Sequence, residues 1–188
     1  LEPQPYSYIS GAVVIVGNAR GGDFNFYRLA YGAGLNPDAW IQIGTDHGNQ
    51  VDNGPLEFWD VSQIEEGLYS LQLTVVNHDG SFRQHTIQVT VDNTPPELEL
   101  TYPPDGAEYI FGDDEWVNVN VEVQDNISVD RVEFYIDDEL FSTRRVAPFN
   151  DRWIIKSAGP HTIHVIAYDA AGNKTESPKV KIFVRSKK

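Results

Sequence analysis

The sequence predicts an all-β chain that folds as two tandem antiparallel β-sandwiches. Hydrophobic residues make up 40% of its 188 residues, and they are rich in the β-branched and aromatic types that favour pleated strands. Short alternating patterns recur, with turn signals about every 8–12 residues, as expected for a sandwich. No stretch has the periodicity of an amphipathic helix. The length leaves room for two domains of roughly 100 residues each.

The predicted domain boundary lies at Val91-Asp92-Asn93-Thr94-Pro95-Pro96. A strand-like run ends there, and two consecutive prolines prevent both a helix and a central strand from continuing. We therefore expect a first module over residues 1–93 and a second module over residues 94–188.

Alternating apolar residues predict the individual strands. Residues 117–123 alternate valine with polar residues without interruption, so one face of this strand is expected to be buried. The same pattern recurs in two sets. The second module contains Val132, Phe134 and Ile136, then Ile163, Val165 and Ala167, then Val180, Ile182 and Val184. The first contains Val14 to Val16, Phe24 and Phe26, Tyr69 to Val75 at alternate positions, then Ile87, Val89 and Val91.

The two modules share an order of landmarks, which predicts one plan used twice. Phe26-Tyr27 and Phe134-Tyr135 match at an offset of 108, whereas Gly67 and Gly159 open matching strands at an offset of 92. The difference predicts an insertion of 16 residues in the first module, within residues 32–55. Trp59 and Trp153 stand at matching positions and are expected in the cores.

Several strings resemble known families. Residues 132–138 and the run Asp169-Ala-Ala-Gly-Asn173 are similar to bacterial immunoglobulin-like (Ig-like) or fibronectin-III-like surface modules. In the first module, the order of residues 26–32, 40–44 and 59–62 resembles modules in the C-terminal tails of some bifunctional penicillin-binding proteins, and in some secreted subtilisin-like proteases. The resemblance implies two tandem Ig-like, fibronectin-III-like antiparallel β-sandwiches.

The resemblance also implies a non-catalytic accessory, spacer or interaction module of a larger cell-envelope protein. The expected parent is a penicillin-binding protein, a peptidoglycan transglycosylase and transpeptidase, and the expected location is extracytoplasmic: secreted, at the cell surface or on a membrane-tethered ectodomain. The alternative is a glycan- or peptidoglycan-binding, calcium-stiffened module of a secreted protease or surface adhesin. The Ser-x-x-Lys, Ser-x-Asn and Lys-Thr-Gly motifs of penicillin-binding catalysis are absent from the sequence.

The composition argues against several classes of binding partner and of chemistry. The net charge of −14 argues against nucleic acid and anionic membrane surfaces, whose binders need a basic face. The absence of cysteine excludes disulfides, thiolate chemistry and cysteine-based zinc sites. The sequence contains no apolar stretch of the roughly 20 residues that span a bilayer. Because it begins at Leu1 and contains no methionine, we expect a processed or excised piece of a longer chain.

Candidate catalytic groups do not converge. The acidic pairs Glu65-Glu66, Asp113-Asp114 and Asp137-Asp138 are adjacent in sequence, and neighbours in an extended chain point to opposite faces. His161 and His164 are three residues apart on a predicted strand and also face opposite sides. His78 and His85 flank a predicted hairpin without further ligands nearby. We therefore predict solvated turns and no enzyme active site.

Two binding sites remain as hypotheses. In an Ig-like sandwich the loop after the second strand lies beside the last hairpin, so hard oxygen ligands for calcium are predicted at the junction of the modules. They are Asp92, Asn93, Asp125, Asn126, Asp169 and Asn173. Turn chemistry explains the same run of residues equally simply.

The second hypothesis places a glycan on an exposed tryptophan. Trp40 lies in the predicted insertion and is the candidate ligand residue, although burial is the favoured interpretation for Trp40 and for Trp116.

Overall fold

The computed structural model describes residues 2–187, in which every regular element is a β-strand. The chain forms two compact units, Leu1–Asn93 and Thr94–Lys188. Each unit has a hydrophobic core of its own. The prediction of an all-β fold made of sandwiches is confirmed.

The first unit has seven strands in two sheets. Five strands form one sheet in the order β1-β7-β6-β3-β4, and β2 pairs with β5 to form the other. The strand β1 runs parallel to β7, whereas the other pairs are antiparallel. The bounds are β1 (Tyr8–Ile9), β2 (Ala12–Ala19), β3 (Phe24–Ala33), β4 (Ile41–His47), β5 (Val51–Asp60), β6 (Gly67–Asn77) and β7 (Phe82–Val91).

The core of the first unit lies between these sheets. Ile15 on β2 and Val89 on β7 are fully buried, and Trp59 on β5 is 3% exposed. Burying each large apolar side chain stabilises the fold by roughly 1.5–3 kcal/mol. The alternation read from the sequence therefore selects the inward face of each strand.

One predicted alternation is shifted by a bulge. The pairing of β3 with β6 changes register between Phe24 and Phe26, so Tyr27 and Leu29 are buried while Phe26 is only half-buried. The Tyr27 hydroxyl donates a hydrogen bond to the Leu56 carbonyl at 2.7 Å. This bond joins β3 in one sheet to β5 in the other and satisfies a buried polar group.

The second unit has nine strands. Three form a sheet in the order β13-β10-β8, and the larger sheet follows β12-β11-β14-β16-β9, with β15 paired to β14. The strand β9 runs parallel to β16. The bounds are β8 (Glu97–Tyr102), β9 (Glu108–Phe111), β10 (Trp116–Gln124), β11 (Val129–Ile136), β12 (Glu139–Arg144), β13 (Asp151–Ile154), β14 (Gly159–Asp169), β15 (Lys174–Glu176) and β16 (Val180–Ser186).

The alternating valines of the second unit line its core as predicted. Val117, Val119 and Val121 are buried and Val123 is half-buried, while the intervening residues of β10 are exposed. Phe134 on β11 is fully buried in the same core.

Both units repeat the same strand plan, but the registers give a smaller insertion. Val13 pairs with Trp59 in the first unit and Val117 with Trp153 in the second, and both tryptophans are buried. Leu29 pairs with Leu73, whereas Phe134 pairs with Val165. The offset of this middle strand is therefore 105 and not 108, which against the late-strand offset of 92 leaves 13 extra residues in place of 16. The error arose because Phe26 and Phe134 do not occupy equivalent positions: by register, Phe26 corresponds to Arg131 and Phe134 to Leu29.

Candidate functional site

Two loops at one end of the second unit bring Asp125 and Asp169 together. Val129 and Asp169 are register partners across β11 and β14, and the Ala170 amide donates to the Ser128 carbonyl at 3.1 Å. The two aspartates each offer a carboxylate oxygen, and these oxygens lie within 4.8 Å of each other. The site is therefore a pair of acidic groups held by backbone contacts between neighbouring loops.

The two carboxylate oxygens of Asp125 differ: one accepts hydrogen bonds, and the other has no hydrogen-bond donor among the described residues. Its Oδ1 accepts hydrogen bonds from the amides of Ile127 at 2.9 Å and Ser128 at 2.6 Å, which forms an Asx-type turn. Its Oδ2 is buried and has no hydrogen-bond donor among residues 2–187. A buried carboxylate oxygen without a donor is costly unless a cation or water contacts it.

Asp169 is tied to the turn that follows it. It is 2% exposed, and its Oδ1 and Oδ2 accept from the Asn173 backbone amide at 2.8 Å and side-chain amide at 2.7 Å. Asn173 thus contacts Asp169 through its backbone N–H and its side-chain NH₂ group. Asn126 is exposed in the other loop.

The two remaining sequence-predicted ligands belong to the first unit. Asp92 is fully buried, and its amide donates to the Ile9 carbonyl at 3.0 Å. Asn93 clamps the end of this unit: its Nδ2 donates to the Val61 carbonyl at 2.9 Å, and its Oδ1 accepts from the Gly11 amide at 3.0 Å. The sequence pattern did not reveal this clamp, because its partners lie 32 and 82 residues away.

The acidic pair Asp137-Asp138 forms the turn between β11 and β12. Both residues have positive φ angles, of 50° and 66°, as a two-residue hairpin turn of the type I′ class requires. Asp137 contacts His161, whereas Asp138 forms an ion pair with Lys179 and lies 3.7 Å from His164. The two carboxylates thus diverge toward different histidines.

The two buried histidines of β14 have separate surroundings. The His161 ring packs 4.8 Å from Trp153, and the His164 ring stacks on Tyr135 at 4.8 Å with an interplanar angle of 9°. His78 and His85 lie outside the cluster of possible metal ligands found among the described residues.

Trp40 and Trp116 are exposed, contrary to the favoured expectation of burial, with 39% and 41% of their surface accessible. Trp40 immediately precedes β4. Its neighbours Ala39 and Ile41 line a cavity of about 500 Å³. Tyr31 and Tyr69 also line this cavity.

Within residues 2–187, no helix has the length and apolar character to cross a membrane.

One family model and one solved structure agree with this architecture. The family model described as "Bacterial Ig domain" matches residues 96–165. The fibronectin(III)-like modules of Clostridium thermocellum CbhA have a similar structure, with 22% identity and a TM-score of 0.67 over 98% of this chain and 92% of theirs. Murine CEACAM1b aligns over 96% of both chains with 13% identity and a TM-score of 0.49. No curated protein sequence matches the chain.

Proposed function

We propose that this chain is a non-catalytic accessory module of a larger extracytoplasmic protein, where it serves as a spacer or interaction segment. The observation that carries the proposal is the presence in one chain of two Ig-like sandwiches with separate cores, the second of which matches the bacterial Ig domain model over residues 96–165. Modules of this kind generally mediate contacts with other domains, and bacterial Ig domains usually occur in extracellular or surface proteins.

The proposed parent is a penicillin-binding protein with this chain in its C-terminal tail. Support comes from the resemblance of residues 26–32, 40–44 and 59–62, which fall on β3, at the start of β4 and at the end of β5. The residues encoded upstream of this segment test the parent. A Ser-x-x-Lys motif there would support a penicillin-binding protein as the parent, whereas a Ser/His/Asp protease domain would identify the parent as a secreted protease.

A second candidate function is glycan binding at Trp40. The exposed indole of Trp40 offers a flat apolar face on which a sugar ring can stack, and its chain neighbours Ala39 and Ile41 line a cavity. Retention of the chain on purified peptidoglycan tests it, with Trp40→Ala as the variant and Trp116→Ala, equally exposed in the other unit, as the control. Retention lost only in Trp40→Ala supports binding there. No retention of the unaltered chain favours the spacer.

Calcium is the ion we propose for Asp125 and Asp169. The donor set consists of hard carboxylate oxygens, and the buried Asp125 Oδ2 lacks a protein partner among the described residues. Calcium takes about 6–8 oxygens, so these two carboxylates need further ligands. Asp92, Asn93, Asn126 and Asn173 remain the proposed sources, together with water.

Calorimetric titration of the full chain tests this site. Calcium is expected to release or absorb heat on binding and to raise the melting temperature, and chelator should reverse both. Asp125→Asn and Asp169→Asn should weaken binding, and Asp92→Asn tests whether the first unit supplies a ligand. Glu139→Gln, which removes the same charge from an exposed strand end, is the control. The absence of heat and of any thermal shift would eliminate the calcium site.

A further inference from the structure

Arg83 differs from the other arginines of this acidic chain in the contacts that its side chain makes. Seven of the eight arginines contact a carboxylate or an aromatic ring. The Arg83 side chain has no ion pair, hydrogen bond or ring contact among residues 2–187. It stands in a unit whose residues 1–93 contain 11 acidic side chains, only 3 arginines and no lysine, so carboxylate partners are abundant there.

The strand ladder points Arg83 toward the space between the two sheets. The pairing of β6 with β7 runs from Val76↔Phe82 to Gly67↔Val91 without a register shift. Side chains alternate faces along such a strand, so Arg83 and His85 share the face of the buried Ile87 and Val89. This face changes from apolar to basic at one end of the sandwich.

That end contains a cavity of about 380 Å³. Arg83 and His85 line one part of it, and their cross-strand partners Val75 and Leu73 line another. The volume is within the range of roughly 300–1,000 Å³ that small-ligand pockets occupy. Gly22 at the rim leaves open space where a side chain would project.

The other charged groups at this cavity are engaged. Arg20 forms an ion pair with Asp52 at 2.6 Å, and the Asp23 carboxylate accepts a hydrogen bond from the Asp79 amide at 3.4 Å. Of the two arginines that line the cavity, Arg83 is therefore the one whose guanidinium has no carboxylate partner among the described residues. Its planar guanidinium presents paired donors that match a carboxylate in a two-point contact.

We propose that this cavity binds a small ligand with a carboxylate group. Arg83 pairs with the carboxylate, His85 supplies a neighbouring polar contact, and Leu73 and Val75 contact the carbon skeleton. The carboxylate belongs either to an acidic sugar or to an amino-acid derivative, since both present the same group. This site is independent of the proposed glycan contact at Trp40 and of the calcium ligands.

Titration of the full chain, observed by two-dimensional NMR, tests the proposal. The probes are glucuronate, N-acetyl-D-alanine and neutral glucose. We expect saturable shifts at Arg83, at His85 and in residues 20–23 with at least one carboxylate, and none with glucose. Arg83→Gln should weaken binding roughly tenfold or more, because a charge-assisted pair is lost. Arg28→Gln removes an arginine already paired with Asp46 and should leave binding unchanged.

The two carboxylate probes distinguish the two chemical classes of ligand. Binding of glucuronate alone assigns the site to acidic sugars, and binding of N-acetyl-D-alanine alone assigns it to amino-acid derivatives. The proposal is overturned if neither probe gives saturable shifts, if glucose gives the same shifts, or if Arg83→Gln binds as well as the unaltered chain. Because Trp40→Ala leaves this cavity intact, loss of peptidoglycan retention in that variant has no bearing on the result.

Discussion

Asp137 anchors the buried ring of His161, with Asp137 Oδ2 2.7 Å from His161 Nδ1. The other carboxylate oxygen accepts from the Thr162 amide at 2.8 Å. Partial burial acts to raise the pKa of the Asp137 carboxyl, but the hydrogen bonds from His161 and Thr162 outweigh it and lower the pKa below its usual 3.8. The turn between β11 and β12 is therefore fastened to β14 by an ionised carboxylate.

Replacing this carboxylate should destabilise the second unit in a pH-dependent way. A lowered folded-state pKa contributes stability above the unfolded value, and that contribution is lost as the pH falls through the folded one. Asp137→Asn should therefore lower the melting temperature at pH 7, and the difference should shrink below about pH 4. The cost should be about 1 kcal/mol or less, because the side chain is 47% exposed. Calorimetric melting at several pH values measures it.

The asparagine variant separates charge from turn geometry. Asn also tolerates the positive φ of 50° at this position, so the backbone is not strained. Asp38→Asn, at an exposed site in the other unit, serves as the control for loss of one negative charge. An equal loss of stability at pH 7 and at pH 3 would show that ionisation of Asp137 has no role.

A second prediction concerns Tyr135 on the outer face of the same sheet. Its hydroxyl donates to Glu133 at 2.7 Å, and ionisation would place a phenolate beside a carboxylate. This hydrogen bond, with a contribution from burial, raises the pKa of Tyr135 to about 12. NMR titration of the tyrosine ring carbons should show Tyr135 ionising well above the usual value of 10.0. In Glu133→Gln its pKa should fall back toward that value, whereas in Asp138→Asn it should not change.

The sequence predicted the strands best where alternation is unbroken. In residues 117–123 the valines that favour a strand also occupy its inward face, and three of the four are buried. It failed at the bulge in β3, because a one-residue shift exchanges the two faces and leaves the composition unchanged. Phe26 and Tyr27 are both aromatic, so nothing in their identities reveals which one turns inward.

The candidate sites were less predictable because they depend on distant pairings. The proximity of Asp125 and Asp169 follows from general sandwich geometry, but the orphan Oδ2 depends on how the loop turns. Arg83 carries no sequence signal of its own. Its significance emerges only when the uninterrupted ladder of β6 and β7 fixes its face, and when every other arginine has found a partner within residues 2–187.

The tryptophans of the first unit offer a paired test of core and surface. Trp59 is 3% exposed, whereas Trp40 is 39% exposed. Trp59→Ala should cost about 3–5 kcal/mol in the free energy of unfolding, because it leaves a cavity between the sheets. Trp40→Ala should change the stability by less than about 1 kcal/mol. Denaturant unfolding followed by circular dichroism compares them. Similar losses in both variants would contradict the assignment of Trp40 to the surface.

The hairpin between β14 and β15 depends on Gly172. This residue has a φ of +90°, and a side chain there would meet no atom within 4 Å, so backbone conformation is the constraint. Gly172→Ala should destabilise the second unit by about 1–2 kcal/mol, because residues with a Cβ resist left-handed conformations. Gly48→Ala is the matched control, since that glycine also has open space but does not have a positive φ. Denaturant midpoints measure both. A Gly172→Ala variant as stable as Gly48→Ala would mean that the turn relaxes without strain, and the Asp169–Asn173 contacts would then hold the hairpin without help from glycine.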